Sequence, residues 1–151
     1  MAALRKMIAL DEDDLAVISA HVQDAQVHAA DILWRQSENR LVVGMRRPDC
    51  DQMVSGVPCD RRLISALRFE RVLSCKGRNL SLDAPDQPFE LWGLEFYPGK
   101  KPGGCVVLMF AEGRMLRLDV ECIECELADL AEDNPATSGL DAGGISADTG
   151  V

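Results

Sequence analysis

The stretch Arg114 to Val120 puts Leu116, Leu118 and Val120 on one parity and Arg117 and Asp119 on the other. Side chains two apart share one face of a strand, so this pattern buries one face of a sheet and wets the other. Arg40 to Arg46 repeats it, with Leu41, Val43 and Met45 set against Arg40, Gly44 and Arg46; Val42 alone breaks the outer polarity. Gln36 to Asn39 reads as a hairpin turn, and Glu112-Gly113 reads as a tighter one in which glycine supplies the positive φ. Half-wet strands joined by links this short pair antiparallel.

The other segments fit around that sheet. Asp11 suits a helix N-cap, and the acids after it suit the positive end of the helix dipole. Leu15, Ile18, Val22 and Ala25 then follow helical spacing, which predicts a helix from Glu12 to Asp24. Gln26 to Arg35 reads as a strand whose apolar parity switches between Ala29 and Ile32, so a bulge or bend is expected at Ala30-Asp31. Arg47 to Asp60 carries Pro48, Gly56 and Pro58 and reads as a long loop. Arg61 to Lys76 reads as strand with a bulge at Arg71, and Phe89 to Tyr97 as another strand. Cys105 to Ala111 is apolar on both faces and reads as a central strand. Ile123, Leu127 and Leu130 predict a closing helix over Glu121 to Ala131. The expected fold class is α+β: a bent antiparallel sheet of about six strands with an N-terminal and a C-terminal helix, similar in topology to pleckstrin-homology-like barrels. Such a likeness carries no function.

Composition sets the limits. The 151 residues are 47% hydrophobic, enough for a core and too many for a disordered chain. The longest apolar run, Cys105 to Ala111, falls far short of the roughly 20 residues of a spanning helix. Residues 132–151 hold four acids, four glycines, no base and no aromatic. This predicts a single domain over 1–131 followed by a disordered acidic tail. Met7 to Leu10 is too short for a signal-peptide core, so a cytoplasmic setting is expected, with the six cysteines as reduced thiols.

The segments ALDEDDLAVISAHVQDA (9–25), SALRFERVL (65–73), PGG (102–104) and RLDVECIECELADL (117–130) carry a resemblance. Together they resemble an uncharacterised family of small alphaproteobacterial proteins, a domain of unknown function, over residues 4–131. The resemblance implies a bacterial cytoplasmic protein and supplies no activity and no catalytic residues.

Several chemistries can be weighed against the sequence. Cys122-Ile123-Glu124-Cys125 has the spacing of a redox pair where a strand would give way to a helix. Asp119, Glu121, Glu124 and Glu126 crowd it, and nearby carboxylates raise a thiol's pKa. Cys122 and Cys125 are therefore candidate reactive thiols under adverse electrostatics. A zinc site from Cys50, Cys59, Cys122 and Cys125 lacks the two tight ligand pairs such sites use. His21 reads as a packing or surface group beside the apolar helix face, His28 and Asp31 fall on opposite strand faces, and no phosphate-loop, dinucleotide or metalloprotease motif occurs. No metal and no cofactor is expected.

Charge is more informative. The net charge of −9 suits a soluble chain and opposes nonspecific nucleic-acid binding. It is unevenly spread: residues 40–78 carry nine bases and four acids, and both flanks are acidic. Arg46, Arg47, Arg61, Arg62 and Arg68 are the candidate residues for binding an anion or a partner. The competing expectation is that these arginines pair with flanking acids inside the fold. The reading that follows is a non-enzymatic binding or assembly module with a protein partner, itself or another, and no membrane or nucleic acid. An enzyme with a thiol or carboxylate in a pocket, and a zinc-stabilised structural protein, are the alternatives.

Overall fold

The computed structural model describes residues 4–48 and 62–133. It begins with strand β1 (Lys6–Ala9), which leads into helix α1 (Glu12–Val22). The Asp11 carboxylate accepts the Asp14 N–H at 2.8 Å, which is the expected N-cap. Leu15, Ile18 and Val22 are buried along one face of the helix.

Strands β2 (Ala25–His28) and β3 (Ile32–Arg35) follow, separated by a single 3-10 turn over Ala29–Asp31. The parity switch in the sequence marks this turn. A second such turn, Gln36–Glu38, ends on Asn39 in the left-handed region at φ 52° and delivers the chain into β4 (Arg40–Pro48). Strands β5 (Arg62–Phe69) and β6 (Val72–Arg78) are one extended run broken at Glu70-Arg71, where Arg71 has φ 60°. Strands β7 (Pro88–Pro98), β8 (Gly104–Phe110), β9 (Met115–Val120) and β10 (Cys125–Asp133) complete the order. Between β8 and β9, Glu112 and Gly113 both take positive φ, as a tight hairpin requires.

Among the described residues there are thus ten strands and one α-helix, which corrects the expected six strands and two terminal helices. The predicted N-terminal helix is present, but a strand precedes it. The predicted C-terminal helix is β10. Ile123, Cys125, Leu127 and Asp129 are all buried at a spacing of two, whereas Leu130 is 59% exposed. The helix-forming composition of this segment yields to pairing on both sides, with β5 and with β1. Leu130 follows buried Asp129 on the outward parity, at a bulge between Asp129 and Ala131.

All the pairings are antiparallel, in the order β1-β10-β5-β4-β2-β7-β8-β9-β6, with β3 on β4. The sheet bends at a corner where β5 becomes β6 and β9 leads to β10. Glu70 donates its N–H to Glu124 O at 2.9 Å there, and Glu121 donates to Arg71 O at 3.0 Å. The path ends on β1 and β6, which do not pair, so no closed barrel forms among the described residues and the barrel expectation is corrected. Phe69, Phe110, Leu41, Leu67, Leu108 and Leu118 fill the hollow of the bend, and α1 adds Leu15, Ile18 and Val22.

Candidate functional site

Strand β4 buries Leu41, Val43, Met45 and then Arg47, four residues on one parity. Ser65 on β5 and Asp129 on β10 are also buried on inward parities. Register sets Met45 opposite Ser65 and Ser65 opposite Asp129, so the three strands deliver Arg47, Ser65 and Asp129 to one place. Arg47 Nε donates to Asp129 Oδ1 at 3.0 Å, and Nη2 donates to Oδ2 at 2.8 Å. Ser65 Oγ donates to Asp129 Oδ1 at 2.6 Å and accepts from Arg47 Nε at 3.2 Å. The Arg5 N–H adds a bond to Oδ2 at 3.2 Å, and Arg47 Nη1 reaches His21 O in the last turn of α1 at 3.4 Å.

Burial works against ionisation of Asp129, but the hydrogen bonds from Arg47, Ser65 and Arg5 hold its carboxyl below the usual range. The cluster pins α1 and the N-terminal segment onto three strands. With side chains 4% and 1% exposed, Arg47 and Asp129 are sealed from any ligand.

The other candidate arginines are dispersed. Arg68 lies 3.1 Å from Glu70 and 3.2 Å from Glu126. Arg46 and Arg62 are exposed neighbours on the outer face of β4 and β5, where Arg62 Nη1 donates to Arg46 O at 3.4 Å. Arg61, and the loop read over 47–60 from Asp49 onward, lie outside the described residues. Arg40 binds Glu38 and Glu70, both at 2.8 Å, and Arg71 faces Glu124 at 3.7 Å. Much of the basic middle thus meets acids from the corner and from β10.

A different basic group stands out on the opposite half of the sheet. The outer faces of β6, β9, β8 and β7 bring Lys76, Arg117, Val107 and Glu95 into one cross-strand row. Arg78 pairs with Met115 in the next outward row. Lys76, Arg78, Val107, Met115, Arg117 and Tyr97 border an open cavity of about 350 Å³ with an apolar floor. Arg117 leans on Asp119 at 3.5 Å, and Asp119 is already held by Ser74 Oγ at 2.8 Å. Glu95 is engaged by the Tyr97 hydroxyl. Neither Lys76 nor Arg78 makes an ion pair among the described residues.

Another cavity, about 430 Å³, lies between β2, β5, β7 and the β8–β9 turn. It takes in Arg62 and Arg114 together with Asp24, Glu90 and Glu112, so its walls carry both signs. Arg114 stacks over the Phe89 ring at 5.1 Å.

Residues 5–139 match the family model for DUF2948, described as a protein of unknown function. The chain belongs to the DUF2948 family. No curated protein and no solved structure matches it. The DUF2948 match agrees with the family resemblance in the sequence; it does not speak to an alphaproteobacterial setting.

In this DUF2948 domain the cysteine pair does not sit at a helix start. Cys122 lies in the turn after β9 and Cys125 opens β10. Burial, with Glu126 adding to it, pushes the Cys125 thiol far above its ordinary range, and burial pushes Cys75 up to about 11. Cys50 and Cys59 lie outside the described residues. No group of three or more His, Cys, Asp or Glu positioned to hold a metal occurs among the described residues. No helix among them is long and apolar enough to cross a membrane. Two features escaped sequence reasoning. The buried cluster was signalled by Arg47 sharing parity with Leu41, Val43 and Met45. The Lys76–Arg117 row had no local signal, because the two residues are 41 positions apart in the sequence.

Proposed function

We propose that this chain is a non-enzymatic binding module that holds an acidic partner protein on the outer face of β6, β9 and β8. One observation carries the reading. Lys76 lies directly opposite Arg117, Arg78 takes the next outward position on β6, and neither Lys76 nor Arg78 is answered by an acid among the described residues. Like charges directly opposite on paired strands are destabilising. A fold that pairs Arg40, Arg47, Arg68 and Arg71 with carboxylates and leaves Lys76 and Arg78 without one among the described residues gains when an anion arrives. The net charge of −9 opposes a dense polyanion such as nucleic acid more strongly than a short acidic protein segment. Four described cysteines are free thiols, which suits a cytoplasmic module.

The test is titration of the full chain with a poly-glutamate peptide at two salt concentrations, followed by calorimetry and amide shifts. Binding is expected, weaker at high salt, with shifts at Lys76, Arg78 and Arg117. The double variant Lys76→Glu/Arg78→Glu is expected to lose roughly tenfold or more in affinity. Equal binding by that variant, or no binding by the parent chain, overturns the reading.

A further inference from the structure

The basic row ends at β6, and β6 is an edge. It pairs with β9 on one side and terminates the sheet on the other. In an antiparallel ladder alternate residues point N–H and C=O away from the paired neighbour, so an edge strand carries unpaired donors and acceptors. At the start of β6 that side is occupied, since Val72 N donates to Asn39 O at 2.9 Å. From Ser74 to Arg78 no further strand pairs with it among the described residues. Lys76, Gly77 and Arg78 are all exposed. Gly77 has no side chain, so its exposure is exposure of the backbone itself.

Charge selects what can pair there. Ser74, Lys76 and Arg78 share the outward parity, while Cys75 and Gly77 face the other way, where Leu80 lies over Gly77. A second copy of β6 laid antiparallel on this edge would set lysine and arginine against lysine and arginine, which opposes self-pairing. An acidic strand meets the opposite situation. Its residues at i and i+2 would face Lys76 and Arg78, with Arg117 one strand further in. The residue between them would sit over Gly77 and Leu80, where an apolar side chain fits.

Resting on the binding reading above, we infer that an extended acidic segment of a partner protein adds to β6 as the next strand of the sheet, in an acidic–apolar–acidic register. Main-chain hydrogen bonds supply affinity and the alternate side chains supply specificity.

The experiment uses the isotope-labelled full chain and a ten-residue peptide alternating glutamate and valine. Two further peptides carry N-methyl groups on one or the other alternate set of amides, which leaves the charge unchanged. A strand adding to β6 pairs through only one of its edges. The parent peptide should therefore shift and protect alternate amides between Ser74 and Arg78. One methylated peptide should bind roughly tenfold or more weakly, and the other should match the parent. If both methylated peptides match the parent and all depend on Lys76 and Arg78, strand addition is overturned while the anion-binding reading stands. If the parent peptide binds but protects amides elsewhere, or if inorganic phosphate reproduces its shifts without protection, strand addition is also overturned. If no acidic peptide binds, both readings fail.

Discussion

Arg47 and Asp129 meet through two parallel hydrogen bonds, 3.0 and 2.8 Å long, although 82 residues separate them in the chain. Ser65 and the Arg5 backbone complete the carboxylate's partners. Asp129→Ala would leave a buried guanidinium without its counter-ion, a loss that typically costs about 3–5 kcal/mol. A urea or thermal melt should show a large drop in midpoint. The paired change Arg47→Met/Asp129→Leu removes both charges and should recover most of it. A double variant as unstable as Asp129→Ala would mean that the pair does more than neutralise itself.

The same carboxyl sets a pH dependence. Its folded pKa lies below the unfolded value. A group depressed on folding contributes stability that is complete above the unfolded pKa, about 4, and is lost as pH falls through the folded pKa. The urea midpoint of the parent chain should therefore fall between about pH 5 and the acid limit. Asp129→Asn, less stable at neutral pH, should show a shallower fall over the same interval. Parallel curves would refute the assignment.

The raised thiols can be tested directly. A thiol at about 11, as for Cys75, holds roughly one part in ten thousand as thiolate at neutral pH. Cys125 lies higher still. Labelling of the native chain with a maleimide at neutral pH, mapped by peptide mass, should leave both nearly unmodified until urea is added. Fast modification of Cys125 would revive the reactive-thiol reading.

The parts of the fold legible in the sequence were those fixed by local rules. Asp11 and the Leu15/Ile18/Val22 spacing marked α1, and the parity switch at Ala30-Asp31 marked a real turn. Arg71, charged on an apolar parity, marked the break between β5 and β6. What failed was non-local. Segment 121–131 has the composition of a helix, and its strand state comes from partners more than 50 residues away in β5 and more than 100 away in β1. Asp129 interrupted the inward apolar alternation and so concealed it; a buried aspartate reads as strand only once Arg47 is known to face it. The bases of residues 40–78 stand out in the sequence only by their number in one stretch of chain. Which of them are answered by acids depends on register, and that favoured Lys76 and Arg78 over Arg47 and Arg68.

Gly104 opens β8 where the hairpin from β7 is tightest. A Cβ built there would stand 2.5 Å from Tyr97 O and 2.6 Å from Phe96 Cζ. Backbone cannot yield as a flexible side-chain end can, so Gly104→Ala should cost about 1–3 kcal/mol through overpacking. Gly77→Ala, whose new methyl would meet Leu80 at 3.5 Å, should cost less than 1 kcal/mol by the same reasoning. Paired denaturation curves compare the two. Equal losses would place the strain elsewhere in the hairpin.

Lys76 offers a test in which stability and binding move in opposite directions. It sits directly across from Arg117, so Lys76→Glu converts a like-charge cross-strand pair into an opposite-charge pair. Such a change is worth roughly 0.2–1 kcal/mol in favour of the folded chain, and the gain should shrink as salt screens it. The same variant is expected to lose its hold on an acidic peptide. A residue retained only for folding should not be improved by reversal of its charge. Melting the variant and the parent at low and high salt, alongside peptide titration, separates the possibilities. A variant that is both less stable and a weaker binder would show that Lys76 supports the fold, and the acidic-partner assignment would lose its physical basis.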